Sequence, residues 1–317
     1  MLEIIQPAYQ TSLQDVGRTG YQRYGVPVSG PMDWIAHLAA NLLVGNPENE
    51  ACLEIGLTDA GFRLHCDALI ALTGAGYCLK VNGRQMPTWT SIFMHKGAEI
   101  KIEKIEGGNW AYLSLAGGID LPSSLGSKSR YARAGLGMDL KIGDILRLKH
   151  LNEDRFRIAG RTLETDLRPA YGVNKFIHAT ASPHAERFTS EGSTAFWHCA
   201  YTISADSDRM GLRLKGEPVS HQNGADIISQ GMVLGAVQVP ADGQPIVMMP
   251  DHPTTGGYTQ IAVVTRTGLP LLAQGEPGMT RFNFEMQSVE DAQRDYVEMV
   301  KAIKLDINED KEDWTQL

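Results

Sequence analysis

The chain has 317 residues, 43% of them hydrophobic and 21% charged, a balance that buries enough apolar surface to offset chain entropy and excludes wholesale disorder. That length predicts two domains rather than one packed core. A formal charge of -8 with no long Lys/Arg run repels a phosphate backbone and argues against nucleic acid as a partner.

The four cysteines, Cys52, Cys66, Cys78 and Cys199, form no Cys-x-x-Cys pair and no spacing that reads as a disulfide framework, which predicts reduced thiols and a cytoplasmic chain. No basic n-region opens the N-terminus and no stretch approaches about 18 uninterrupted apolar residues. The expectation is a protein neither exported nor membrane-spanning.

Glycine is abundant, at 33 residues, and the apolar segments between glycines are short, the pattern of many strands joined by tight turns. The chain therefore reads as mainly β. In chain order, a first helix is expected over 31–43, with Pro31 at its first position, Asp33 at the positive end of its dipole and Gly45 as a left-handed stop. Trp34, Ile35, Leu38, Leu42 and Leu43 form its inner stripe, and His37 reads as half of a solvated pair with Asp33. Strands are expected at 99–105, where Ile100 and Ile102 alternate with Lys101 and Glu103, at 110–115 and at 145–148. Another covers 233–239, and the runs 246–249 and 261–264 suit strands buried on both faces. A second helix is expected over 289–304 behind Ser288 as cap, with Val289, Ala292, Tyr296, Val300 and Ile303 on its inner face. Residues 306–317 are acidic and aperiodic and read as a loose tail.

Residues 17–29 (GRTGYQRYGVPVS) and 208–220 (DRMGLRLKGEPVS) align at a constant offset of 191 with six identities in thirteen positions, Arg18 matching Arg209 and Gly25 matching Gly216. Glycine and proline fix backbone geometry, so the match predicts a duplication. It implies two similar β-barrel halves, 1–152 and 153–286, followed by a C-terminal helix and tail over 287–317.

No P-loop, Gly-x-Ser-x-Gly elbow or His-Glu-x-x-His helix occurs, and the nine histidines show no metal-ligand spacing, so no metal is expected. No lysine segment of the type that carries covalent biotin is present either. What remains is a set of polar, glycine-rich loops. Thr254-Thr255-Gly256-Gly257, after Asp251-His252-Pro253, reads either as converging backbone N–H groups that suit an anion or as an ordinary turn between strands. Arg209, beside Asp208, reads either as a bidentate carboxylate ligand or as a structural Arg–Asp lock, and Arg18 behind Asp15 has the same two readings. Gln238 and Gln244 bracket a hairpin-like turn, where a carboxamide recognises an amide substrate or satisfies neighbouring backbone. His252 is the histidine beside the anion loop, either moving protons or simply exposed.

These segments carry a family resemblance. Gln14-Asp15-Val16-Gly17-Arg18-Thr19-Gly20-Tyr21 and Gly25-Val26-Pro27-Val28-Ser29-Gly30-Pro31-Met32-Asp33 are similar to the opening signature of the allophanate hydrolase subunit 2 family. Agreement continues through Ala71-Leu72-Thr73-Gly74-Ala75, Ala116-Gly117-Gly118-Ile119-Asp120, Ser207-Asp208-Arg209-Met210-Gly211 and Thr254-Thr255-Gly256-Gly257-Tyr258. Lys128 and Arg130 depart from a Gly-Ser-Arg-Ser-Thr-Tyr-like block, and Thr259 stands where proline is usual. The family includes the C component of bacterial ATP-dependent 5-oxoprolinase, a sporulation kinase-inhibitor antagonist and the carboxyltransferase region of urea carboxylase.

The resemblance implies tandem cyclophilin-like β-barrels, a companion of the allophanate hydrolase subunit 1 type and a lactam-utilisation-type subunit. A chain of this size without a biotin-carrying segment most resembles the oxoprolinase member, which opens the lactam of 5-oxo-L-proline to L-glutamate, with ATP held mainly by a partner. On that reading Asp208, Arg209 and His252 are candidate catalytic residues. Arg18, Gln238, Gln244, Asp251, Thr254, Thr255, Gly256 and Gly257 are candidate substrate ligands. Two alternatives stay open: a carboxyltransferase acting on urea or a related amide with biotin from a separate carrier, and a non-catalytic regulator that binds a kinase-inhibitor protein.

Overall fold

The structure, a computed structural model, describes residues 1–149, 157–172 and 175–308. The expected boundary between 152 and 153 and the tail from 309 onward lie outside the described residues. The chain is mainly β. Its first part supplies β1 (Leu2–Gln6), β2 (Gln10–Gln14), β3 (Cys52–Gly56), β4 (Ala60–Leu64), β5 (Ala68–Gly74), β6 (Tyr77–Val81), β7 (Arg84–Met86), β8 (Ser91–Met94), β9 (Glu99–Lys104), β10 (Trp110–Leu115) and β11 (Ile145–Leu146). They form a six-stranded sheet, β11-β1-β4-β9-β6-β7, and a five-stranded sheet, β2-β3-β10-β5-β8. Leu2, Ile4, Phe62, Leu79 and Ile100 of one sheet share a core with Leu13, Leu53, Ile55, Ile70 and Leu113 of the other.

The second part supplies β12 (Lys175–Ala181), β13 (Tyr201–Ile203), β14 (Gly211–Lys215), β15 (Asp226–Gly231), β16 (Ala236–Gln238), β17 (Ile246–Met248), β18 (Thr255–Tyr258), β19 (Gln260–Val264) and β20 (Arg281–Met286). Seven of these close a barrel in the order β12-β19-β16-β17-β14-β13-β20, while β15 and β18 pair separately as a two-stranded ribbon. Strand 110–115 forms at the expected residues, whereas 233–239 yields strand only over Ala236–Gln238. Gly235 explains the difference: its φ is +84° and an added Cβ would lie 2.6 Å from the carbonyl oxygen of Val264, so the chain turns there before it can pair.

Among the described residues, four α-helices pack on this frame: α1 (Trp34–Leu43), α2 (Ser190–His198), α3 (Gly268–Ala273) and α4 (Val289–Asn308). Helix α1 starts three residues later than expected, because Asp33 is its N-cap and accepts from the backbone N–H groups of Ile35 and Ala36 at 3.1 and 3.0 Å. Gly45 provides the left-handed stop, with φ +71°. The expected solvated face does not exist: every residue from Ile35 to Leu43 is buried. The helix lies on the outer face of β3, β5 and β10, in one core with barrel residues Ile177, Val237 and Ile261. Its polar residues are accordingly paired; Asn41 donates to the Glu50 carbonyl at 2.7 Å, and His37 Nε2 sits 3.1 Å from the Gln14 carbonyl rather than in water.

Helix α4 is capped by Ser288, whose hydroxyl accepts from Asp291 N at 3.1 Å. It packs through Met299, Val300, Ile303 and Ile307, which leaves Val289, expected on the inner face, 53% exposed. The helix also runs past its expected end. Asp306, expected in the loose tail, is helical and accepts from Glu164 N at 2.9 Å. No described helix is long and apolar enough to cross a membrane, and all four cysteines are free thiols.

The segments aligned as a repeat differ in backbone at their two matched glycine pairs. Gly20 and Gly25 lie in the left-handed region, in a loop with a short 3-10 turn at Gln22–Tyr24. Their counterparts Gly211 and Gly216 have ordinary φ, and Gly211 opens β14. Two of the six identities are thus glycines whose conformational freedom serves different backbones in the two segments.

Candidate functional site

Two strand pairs bring charged groups to the seam between the parts. In the first, Tyr112 of β10 stands directly opposite Glu54 of β3, and its hydroxyl donates to Glu54 Oε2 at 2.7 Å. In the second, the β14–β17 pairing continues beyond both strands, where Asp251 N donates to the Arg209 carbonyl at 2.9 Å. Arg209 and Asp251 are thereby held side by side. Arg209 Nε donates to Asp251 Oδ2 at 2.9 Å, its Nη2 to the Gly30 carbonyl at 2.6 Å, and its Nη1 to Glu54 Oε1.

Burial of Glu54 raises its pKa, with Arg209 opposing the rise. For Arg209, burial works against the charge, but Glu54 and Asp251 hold its pKa above the ordinary guanidinium value. This guanidinium is a pin between the two parts, and each of its three nitrogens donates to one of these partners.

The loop from Asp15 to Gly30 is tied down from below. The Asp15 carboxylate accepts from Ser127, Ser129, Lys128 N and Gly17 N. Burial opposes its charge, yet those donors hold its pKa below the usual carboxylate range. Gly17 has no alternative, since an added Cβ would lie 2.5 Å from the Val28 carbonyl oxygen. Ser29 N donates to the Pro250 carbonyl at 3.0 Å, so the loop lies against the turn that carries His252.

Between them a cleft of about 390 Å³ opens, lined by Val16, Ser29, Pro31 and Trp34 from the first part of the chain and by Met232, Leu234, His252 and Arg266 from the second. His252 Nδ1 is 2.7 Å from the Pro253 carbonyl, which assigns the proton to Nδ1 and leaves Nε2 as the basic nitrogen. Burial lowers its pKa, so the ring is neutral at pH 7. A neutral imidazole on a largely apolar wall can accept a proton from water or a polarised N–H group.

The expected site residues divide around this cleft. His252 lines it. Gln238 stands behind Met232, with Nε2 3.4 Å from Met232 Sδ and 3.5 Å from the Tyr258 carbonyl. Arg209, Asp208 and Asp251 line a second, more polar cleft of about 370 Å³ that also contains Arg130 and Arg133. Asp208 does not orient Arg209: its Oδ1 caps Met210 N and Gly211 N at 2.8 and 3.2 Å, and its other oxygen lies 3.6 Å from Arg133. Arg18 is buried, bonded to Ser29 Oγ at 3.2 Å and to the Ser129 carbonyl, and packs the loop.

Gln244 bonds both ways to the Gly216 backbone at 3.1 and 3.3 Å and so closes a turn. Thr255, Gly256 and Gly257 are not a nest. They extend as β18 against β15, neither glycine has positive φ, and alternating peptide directions prevent their N–H groups from converging; Thr254, just before the strand, accepts from Met232 N. Nor does this backbone fit a nucleotide phosphate.

The departures from the family pattern have local uses. Lys128 Nζ donates to Glu50 Oε1 and to the Ile119 carbonyl, both at 2.7 Å. Thr259 supplies an N–H that proline lacks, donated to the Ala225 carbonyl at 2.8 Å at the base of the ribbon. Glu54 and Tyr112 escape the sequence reading, which places Trp34 on a helix's inner stripe rather than in the cleft. A carboxylate inside the apolar run Cys52–Gly56 was the available signal for Glu54, since a charge there needs a buried partner.

A family profile described as carboxyltransferase domain, subdomain A and B, matches residues 24–286. The C component of 5-oxoprolinase from Escherichia coli is 34% identical over 299 residues, covering 92% of this chain and 93% of its own. Its Haemophilus influenzae counterpart is 32% identical over 301 residues, with the same 92% and 93% coverage. The solved structure of K. lactis urea amidolyase superposes with a TM-score of 0.88 at 29% identity, over 96% of this chain but 20% of the amidolyase, so the chain spans about a fifth of that protein. With the profile running through the Ser29 loop, Arg209 and His252 alike, the chain belongs to the carboxyltransferase domain family, subdomain A and B.

Proposed function

We propose that this chain is the C component of an ATP-dependent 5-oxoprolinase and that the seam cleft takes the lactam. The carrying observation is length-matched similarity: the 5-oxoprolinase components align over 93% of their own length, whereas the urea amidolyase of Saccharomyces cerevisiae aligns over 16% of its length. A five-membered lactam is a poor electrophile, and ATP supplies the activation of its oxygen at a partner protein. The γ-phosphoryl group passes to that oxygen with release of ADP; water then adds to the activated carbon, the C–N bond breaks with a proton going to the ring nitrogen, and a second water releases the phosphoryl group as inorganic phosphate, leaving L-glutamate. Neutral His252 takes the proton from the attacking water, and the apolar wall from Val16 to Trp34 limits competing solvent. Arg209 and Asp251 act by holding the two walls in register.

The test is reconstitution with the companion proteins, following 5-oxoproline-dependent ATP hydrolysis and glutamate release. Omitting this chain abolishes both, and His252→Gln lowers turnover by about 10²-fold or more with assembly intact. Glutamate released at full yield without the chain overturns the proposal. The 0.88 TM-score with urea amidolyase favours a second reading, carboxyl transfer to an amide from a biotin carrier. Carrier-dependent carboxylation by this chain, without oxoproline turnover, would select it.

A further inference from the structure

We infer that Arg266, at the rim of the seam cleft, binds the carboxylate of the small cyclic amide, an inference that rests on the oxoprolinase reading above. The substrate carries one negative charge, and an apolar cleft needs a cation to select it over the uncharged lactam. Arg209, the residue that the sequence pattern favours, has its donors on Glu54, Asp251 and Gly30. The two histidines on the cleft wall are neutral at pH 7, since burial lowers the pKa of His37 to about 4 and that of His252 below its usual value. Glu48, also on the wall, is paired with Lys304 at 2.6 Å. Arg266 is therefore the one cation among the described lining residues.

Its setting is that of a prepared ligand. The guanidinium carbon lies 5.6 Å from the Trp34 ring centroid and 5.8 Å from that of Tyr296, and the two rings meet edge to face at 5.1 Å. Trp34 is itself fixed, its indole N–H donating to the Arg266 carbonyl at 2.7 Å. A cation–π contact of this kind uses none of the guanidinium N–H donors, which stay available for a bidentate carboxylate. No described carboxylate forms an ion pair with Arg266. The position is exposed, so the gain is in selective binding rather than in fold stability.

In the reconstituted complex, Arg266→Ala raises KM for 5-oxoproline about tenfold with kcat within about twofold, and Arg266→Lys recovers part of the loss. Inhibition by 2-pyrrolidinone, the same lactam without a carboxylate, is unchanged, which separates charge recognition from damage to the cleft. An unchanged KM, a loss of kcat alone, or equal weakening of both ligands overturns the assignment while leaving the oxoprolinase reading intact. A wild-type complex that does not turn over 5-oxoproline overturns that reading, and the Arg266 assignment falls with it.

Discussion

At the scale of single residues, the deciding quantity is whether a polar group has a partner. Arg209→Met removes the ion-pair partner of the buried carboxylates Glu54 and Asp251, and breaking such a pair costs about 3–5 kcal/mol. Chemical denaturation should show that loss with an unchanged m-value. A variant that keeps full stability while losing substrate affinity would instead make Arg209 a ligand. His37 gives a pH signature. Its pKa falls from 6.5 to about 4 on folding, mainly through burial, so between those values the unfolded chain binds more protons. Stability attributable to His37 is complete above pH 6.5 and declines towards pH 4, by about 3 kcal/mol in all. The difference between wild type and His37→Gln, measured across that range, isolates this group from the carboxylates that titrate with it. Residue types were legible in the sequence, since Asp208, Arg209 and Asp251 do gather on one cleft wall. Their partnerships were not, because Glu54 lies 155 residues from Arg209 and only the register of β3 with β10 sets it there.

At the scale of elements, local patterns located α1, α4 and β10 to within a few residues, because caps and alternation are short-range signals. They could not reveal that α1 is buried on all sides, which depends on a barrel assembled some 140 residues later. Nor could a Thr-Thr-Gly-Gly run disclose its state. Paired with β15 it is strand, whereas the same residues without that partner suit a turn. Asp33 shows how an element boundary becomes a junction. One oxygen caps α1, and the other accepts from Tyr171 Oη at 2.6 Å and from Gln274 Nε2 at 2.9 Å. Asp33→Ala removes a cap worth about 1 kcal/mol and strands two buried donors at about 1–3 kcal/mol each, for a loss of about 3–7 kcal/mol. Asp33→Asn retains the cap acceptor but turns an amide toward those donors, so its loss is smaller yet clear. Equal stability of the three proteins in urea titrations would mean that α1 is held by its apolar faces alone.

At the scale of the whole molecule, the two β parts are joined by a continuous interior. Leu43, Leu69 and Tyr112 from one part share a core with Val237, Val247 and Phe282 from the other. The polar contacts across the seam repeat this coupling. Gln274 Oε1 accepts from Asn109 N and Trp110 N at 2.9 Å each, its Nε2 donates to Asp33 and the Trp110 carbonyl, and Asn109 donates to Gly275 O at 2.6 Å. Neither part can unfold without exposing the apolar outer face of β3, β5 and β10 or the barrel surface that covers it. Two-state unfolding is therefore expected despite a length that suits two domains. Fluorescence from Trp110 at the seam and from Trp197 on α2, isolated by replacing the other tryptophans with phenylalanine, should follow one denaturation curve that coincides with far-UV circular dichroism. Gln274→Ala leaves the N–H groups of Asn109 and Trp110 without their acceptor and should lower the common midpoint by the equivalent of about 2–4 kcal/mol. If the coupling is as extensive as the shared core indicates, the two probes stay coincident in that variant. Separate midpoints for Trp110 and Trp197, in the wild type or in Gln274→Ala, would mean that the seam is a docking surface between independently stable domains. The cleft would then open and close with their relative motion rather than being held at a fixed width.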